Sequence, residues 1–354
     1  MLSRVAESLF WMSRYFERAE NTARFLEVNF NLQLDLRLIA PMEGASCWKA
    51  PVLALADPEL FESLHEEYNA ETVTEHLVFS RSNPSSIFSC IAMARENARS
   101  IIETISSEMW EQVNDLYHYL QSIKPHKLQS DPYSFYRQIK SNSHLFQGIT
   151  DNTFSRTEGW HFIQLGKYLE RADNAARLID VKFHMLKPMD GPAHDPVYNS
   201  VDIIQWMAVL KSCSALEAFR KVYLSKIKPD NILGFLVLER TFPRSIAFSV
   251  CSAQNALWAI SGSTRNKYVN NVDRLIGRME SELSYSSVED MHKEGLHAYF
   301  EAFEGRLATI GAEIHDLYFA YHSPVFSQMA STDAMPFTGL AGGRAEWSQS
   351  QQQQ

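Results

Sequence analysis

One sixteen-residue segment occurs twice. Tyr15 to Phe30 (YFERAENTARFLEVNF) and Tyr168 to Phe183 (YLERADNAARLIDVKF) align without a gap at an offset of 153 residues, with nine identical positions. Most of the remaining positions are exchanges such as Glu20/Asp173 or Leu26/Ile179. A match of that length constrains the fold before any motif is considered, because two related segments build related structural units.

Weaker echoes extend the match. Pro41-Met42-Glu43-Gly44 resembles Pro188-Met189-Asp190-Gly191, a turn after the first helix of each copy. Trp48 and Phe61 are spaced like Trp206 and Phe219. Asn83-Pro84-Ser85-Ser86-Ile87 resembles Phe242-Pro243-Arg244-Ser245-Ile246, and Pro before an apolar, helix-periodic run signals a helix start. The expected organisation is two homologous helical halves, 1–150 and 151–322, followed by a tail over 323–354. That tail is Ser-, Gly- and Gln-rich, ends in Gln351 to Gln354, and buries too little apolar area to offset its ordering entropy, so disorder is expected.

Helical periodicity runs through about 3 to 38, 84 to 124, 133 to 154, 157 to 187, 199 to 226, 243 to 262, 267 to 286 and 289 to 321. Fourteen glycines and thirteen prolines in 354 residues are few for an all-β chain. The fold class expected is an all-α bundle built by internal duplication.

On a wheel of about 100° per residue, Met12, Phe16, Ala19, Ala23, Leu26 and Phe30 form an apolar stripe, while Arg14, Glu17, Arg18, Asn21 and Arg24 share the opposite face. The second copy repeats this with Lys167, Glu170, Arg171, Asn174 and Arg177. A solvated face laced with ion pairs is the simplest account. However, Phe10, Phe25 and Val28 lie among those charges, and Ile163, Leu178 and Val181 repeat the arrangement, which places both faces in a partly buried seam. Such a seam has two uses. Arginines bonding Glu17 and Glu170 across a pseudo-twofold axis would fix how the halves dock. Alternatively, the arginines would clamp a phosphate or carboxylate, with Glu17 and Glu170 as the candidate catalytic proton-transfer residues.

Arg95-Glu96-Asn97-Ala98-Arg99 has a similar composition at a different spacing, and Arg95 and Arg99 are i,i+4 neighbours. Trp110 and Asn114 share a face further along. Pro243-Arg244-Ser245 opens a helix whose free N–H groups and dipole attract anions, although Ser245 also suits an ordinary helix start.

Three Glu-x-x-His pairs, Glu62/His65, Glu158/His161 and Glu294/His297, have the spacing of ferritin-like di-iron bundles. The duplication aligns Glu158 with Val5 and His161 with Ser8, so this pair lies outside the duplicated pattern and no metal site is expected. No phosphate-binding loop, dinucleotide fingerprint or nucleophile elbow occurs, so no cofactor is expected from a recognisable motif. Net charge is −9, with 33 Lys+Arg against 42 Asp+Glu, which disfavours nucleic acid. The longest apolar run, Ile232 to Leu238, is far short of the roughly 20 residues a membrane helix needs. Cys47, Cys90, Cys213 and Cys251 form no ligand-like spacing, which fits a reduced, cytoplasmic setting.

MLSRVAESLFWMSRYFERAENTARFLEV, the ARENARSI...ISSEMWEQVN segment, LERADNAARLIDV and VLERTFPRSI together resemble the bacterial alpha-E family, in the family's order and over the chain to about residue 321. The resemblance implies an all-helical protein encoded beside, or fused to, a circularly permuted ATP-grasp protein, often with a transglutaminase-like peptidase nearby. It thereby implies peptide or amide-bond synthesis or modification, with ATP entering through the partner and an acyl phosphate or peptide carboxylate as the anionic ligand. The substrate-binding positions carried over are Arg14, Arg18, Asn21, Arg24, Lys167, Arg171, Asn174, Arg177, Arg95, Glu96, Asn97, Arg99, Arg244 and Ser245. The family usually has Gly where this chain has Ser13, and an Arg near Ile102. A non-catalytic scaffold for the ATP-grasp protein is the alternative.

Overall fold

Two long helices run side by side through the centre of the protein. In the computed structural model, which describes residues 1–39, 47–123, 128, 130–185, 200–224, 227–264 and 267–320, these are α1 (Ser3–Ile39) and α8 (Glu158–Met185). They are parallel, since their contacting residue numbers rise together. The Met1 amino group bonds Glu158, the Gly166 backbone lies on Phe10, and Arg14 reaches Glu170. Gly166 is required at the crossing because a Cβ there would stand 2.4 Å from the Phe10 carbonyl oxygen. Only a residue without a side chain lets the two backbones approach so closely.

The other elements are α2 (Lys49–Leu55), α3 (Pro58–Leu64), α4 (Ala70–Thr74), α5 (Ile87–Ser100), α6 (Ser107–Ser122) and α7 (Pro132–Thr153) before α8. After it come α9 (Ser200–Ser212), α10 (Leu216–Tyr223), α11 (Pro229–Leu233), α12 (Ile246–Ser261), α13 (Asn271–Tyr285), α14 (Val288–Glu294) and α15 (Leu296–Ile314). The described residues contain these fifteen α-helices and no strand. Wider π turns continue α4 through Glu75–Phe79, α11 through Gly234–Leu238 and α15 through His315–Phe319.

The packing follows the sequence match. Helix α1 is flanked by α5 and α7, and α8 by α12 and α15. Beyond these, α6 packs on α5 and α13 on α12. One pair is exchanged: α2, which follows α1, packs on α8, whereas α9, which follows α8, packs on α1. Met1–Phe319 forms one compact unit, and the expected division near residue 150 falls in the last turns of α7 inside it.

The apolar stripe expected on α1 is buried at Met12, Phe16, Ala19, Ala23 and Leu26, with Phe16 stacked on Phe146 at 4.0 Å between ring centres. Trp48, Phe61, Trp206 and Phe219 are all fully buried. No helix among the described residues is long and apolar enough to cross a membrane. Cys47, Cys90 and Cys213 are buried free thiols and Cys251 is half-buried. The tail from 323 and both Pro-Met-acid-Gly turns lie outside the described residues.

Some helix boundaries differ from the periodicity. The run 84 to 124 is two helices, because the chain leaves the helix at Ile101 and Ser106 starts a new one by accepting the Met109 N–H. The run 199 to 226 is interrupted at Ser214, which takes a left-handed φ of 51°. The short helices between Lys49 and Thr74, and α11, are too brief to show helical periodicity. Asp57, Asn69 and a Pro in the first turn start them instead.

Gly166→Ala is expected to lower the unfolding free energy by about 1–3 kcal/mol through overpacking. Gly305→Ala, in mid-α15 with nothing within 4 Å of the added Cβ, should raise it by about 0.5–1 kcal/mol. Urea unfolding curves of the two variants that move together would contradict the close approach at Gly166.

Candidate functional site

The α1–α8 seam is built on reciprocal ion pairs. Arg171 donates Nε to Glu17 Oε1 at 2.7 Å and Nη2 to Oε2 at 2.9 Å. Arg18 donates Nε to Glu170 Oε1 at 2.6 Å and Nη2 to Oε2 at 3.1 Å. Each bond joins positions that the 153-residue offset interchanges, so the Glu-Arg of one helix is clasped to the Glu-Arg of the other. Both carboxylates are 1% exposed.

Further donors complete each side. Arg14 Nε bonds Glu170 Oε2 at 2.8 Å, and Gln147 Nε2 bonds Glu17 Oε2 at 3.2 Å. Arg244, from the turn before α12, reaches Glu17 at 3.3 Å, Asn21 Oδ1 at 3.2 Å and Glu20 at 2.9 Å. Glu20 also pairs with Arg24, whose guanidinium bonds Ser214 Oγ. His144, 58% exposed, sits 3.5 Å from Glu20 at the edge of the cluster. Arg171 Nη1 bonds the Pro243 carbonyl at 3.2 Å, which ties the turn to α8.

Burial raises the pKa of both glutamates, but their arginines outweigh it. Arg171 and Arg244 hold Glu17 at about 2, and Arg18 and Arg14 hold Glu170 at about 2. A carboxylate so strongly ionised and bonded through both oxygens is poorly matched to accept a proton near neutral pH. It is well suited to hold arginines in fixed orientation.

The two ends of the seam differ in charge. Around Glu17 and Glu20 stand four cationic groups: Arg24, Lys167, Arg171 and Arg244. Lys167 takes the position that Arg14 holds in the first copy, yet among the described residues it has no ion pair within 4 Å. Its ammonium lies over the Tyr168 ring at 4.7 Å. Burial, with Arg171 next in size, lowers Lys167 to about 8 against the pull of Glu17 and Asp151. Burial and then Arg244 lower Arg24 to about 9. Burial, Arg24 and Arg244 likewise lower His144. Around Glu170 the balance is tighter, with Arg14, Arg18 and Arg177 near Glu170 and Asp173, and Arg177 bonds Asp173 along α8 at 2.9 Å.

Other expected positions lie apart. Arg95 bonds Asn114 at 2.9 Å and stacks on Trp110 and Tyr117, Glu96 pairs with Arg95 and Arg99, and Asn97 bonds the Met93 carbonyl. These contacts stay on α5 and α6 and include no seam residue. Ser245 caps α12, accepting the Phe248 N–H at 3.1 Å. Glu62 bonds Tyr68, Glu158 the amino terminus and His297 Asp180. Among the described residues no three His, Cys, Asp or Glu side chains gather as a metal-binding group.

Glu20, Asp173, His144 and Gln147 belong to the seam but were not singled out from the sequence. The acid present at both Glu20 and Asp173, which the 153-residue offset aligns, is the available signal, whereas nothing local connects α7 to it. A cavity of about 1090 Å³ between α12 and α13 contains none of these residues. We therefore place the site by its charges and not by cavity size.

Glu17 and Glu170 titrate below their ordinary 4.5, so the unfolded chain binds more protons between those values. The stability they supply is complete above about 4.5 and is lost as pH falls toward 2. Urea unfolding from pH 6 to pH 2.5 should show that loss. Glu170→Gln should have a shallower dependence and be about 3–5 kcal/mol less stable at neutral pH. An unchanged pH slope in the variant would refute the pairing.

A family profile described as a predicted alpha-helical domain with a conserved ER motif matches residues 1–319. Glu-Arg occurs at 17–18 and 170–171, the two clasped pairs, and again at 239–240. Uncharacterized proteins of Mycobacterium bovis and of two Mycobacterium tuberculosis strains are each 21% identical over 329 residues, covering 89% of this chain. The chain spans 36% of the length of these relatives. No solved structure matches.

Proposed function

From the premise that the chain belongs to the alpha-E family, matched over residues 1–319, we propose that it is the helical component of an ATP-grasp-linked peptide or amide-bond-forming system. In this reading it holds the anionic group of a substrate, an acyl phosphate or peptide carboxylate, at the Glu17 end of the seam. The observation that carries the reading is the imbalance there: four buried or nearly buried cations against Glu17 and Glu20, with Lys167 lowered to about 8 and lacking an ion-pair partner among the described residues. A bound anion restores that balance, and Lys167, Arg244 and Arg24 are the groups that would meet it. Glu17 and Glu170 act by fixing the arginines, and ATP is handled by the circularly permuted ATP-grasp partner. Because the chain matches only 36% of its mycobacterial relatives, this unit stands beside additional chain in those proteins. That arrangement is in keeping with a component that works alongside a second activity.

The filled Glu17–Arg171 and Glu170–Arg18 bonds favour a second reading, a non-catalytic scaffold whose seam only docks α1 against α8. Co-expression with the neighbouring ATP-grasp protein, followed by a search for ATP-dependent products by mass spectrometry, distinguishes the two. In the substrate reading Lys167→Met folds and co-purifies normally but forms at least tenfold less product. In the scaffold reading product formation is unaffected. Failure of the wild-type chains to co-purify, together with no ATP-dependent product from the mixture, would remove the ATP-grasp link itself.

A further inference from the structure

The same helix-opening turn is built twice, and only one copy is filled. In the first, the π turn Glu75–Phe79 leads through Ser80 to Ser86, whose Oγ donates to the Ser80 carbonyl and accepts the Ser89 N–H. In the second, Gly234–Leu238 leads through Glu239 to Ser245, whose Oγ donates to the Glu239 carbonyl and accepts the Phe248 N–H. The residue before the cap is Arg244 in the second turn and Ser85 in the first. Arg244 spreads its guanidinium over Glu17, Glu20 and Asn21 of α1. The matching acceptors on α8, by the 153-residue offset, are Glu170, Asp173 and Asn174. Beside Ser85 they border a cavity of about 230 Å³ that Arg18 and Asp57 also line.

We infer that this cavity is an arginine socket left open by Ser85, and that it takes the guanidinium group of a ligand. Charge favours this occupant. Three cations, Arg14, Arg18 and Arg177, stand beside Glu170 and Asp173, and Asp57 adds a third carboxylate, whereas the filled socket accepts Arg244 with Arg24, Lys167 and Arg171 set against Glu17 and Glu20 alone. Asn174 is 5% exposed and its Nδ2 has no hydrogen-bond partner among the described residues, as is true of Asn21 Nδ2 beside Arg244, so the two amides are in matching settings. Size points the same way. The cavity is smaller than the roughly 300–1,000 Å³ of drug-sized pockets, which suits the end of one side chain. Ala54, Leu55 and Leu60 supply an apolar wall for its methylene stem. A planar fork reaches two carboxylates and an amide at once, whereas an ammonium is a compact point charge. The inference does not depend on an anion at the Glu17 end.

Agmatine, which has a guanidinium and no carboxylate, is the probe. Calorimetric titration at neutral pH should show saturable one-to-one binding to the wild type and to Ser85→Ala, with putrescine at least tenfold weaker. Ser85→Arg should fill the socket from within, raising the melting temperature and weakening agmatine at least tenfold. Asn174→Asp, which adds a carboxylate, should tighten binding several-fold, and this variant decides the matter if Ser85→Arg does not fold. A blocked Gly-Arg-Gly peptide titrated in parallel identifies the source. Tighter binding than agmatine assigns the group to a polypeptide, and weaker binding assigns it to a small guanidino compound. No saturable agmatine binding to the wild type, equal binding to Ser85→Arg, or no gain with Asn174→Asp overturns the inference. Inorganic phosphate binding that Ser85→Arg strengthens, without agmatine binding, makes the cavity an anion site and also overturns it.

Discussion

A carboxylate taken out of water without a partner carries a desolvation penalty of several kcal/mol, and this chain removes two from water in the middle of its longest helices. Glu17 and Glu170 are tolerable only because each is met by the arginine of the opposite helix. That requirement fixes the alignment of α1 with α8. Adjacent residues on a helix point about 100° apart and differ by only about 1.5 Å in height, so each Glu-Arg pair can send its carboxylate across and receive a guanidinium in return only where the two pairs stand at the same level of the seam. Buried ion pairs contribute little net stability compared with apolar packing, and their best-attested role is to specify one arrangement. Gly166 supports the same register by allowing the backbones to touch near Phe10.

The sequence made the all-helical class and the seam legible for physical reasons. A repeat at a fixed offset survives without knowledge of tertiary contacts, and large apolar residues such as Phe10 and Ile163 among the charges signal that the charged face is covered. Both are buried. Contacts that depend on chain segments distant in sequence were not legible. Nothing near Arg244 indicates that it crosses to Glu17, more than two hundred residues earlier, and nothing near Gln147 places it against the same carboxylate. Composition was a poor guide at Arg95–Arg99, where a similar mixture of residues is satisfied locally by Asn114 and by Trp110 and Tyr117. The break between α5 and α6 rests on one serine cap within a run whose apolar periodicity continues across it.

The departures between the copies are as informative as their identities. Lys167 replaces the arginine found at position 14, and Ser85 stands where the other turn has Arg244. The first change leaves a cation at the Glu17 end without an ion pair among the described residues. The second leaves space at the Glu170 end. Two similar scaffolds thereby acquire unlike chemistry at opposite ends of one seam, with surplus positive charge at one and a partly acidic recess at the other.

The exchange of α2 and α9 between the central helices has a consequence for how the chain reaches this state. Helix α1 is made first, yet its carboxylate partner, its glycine contact and its covering helix α9 all come from residues beyond 160. During synthesis at roughly 5–20 residues per second, α1 must wait on the order of ten seconds for α8, with Glu17 lacking Arg171 until then. Closing so long a loop slows folding far more than it lowers final stability. Helices made after α1 therefore complete the interior that it begins.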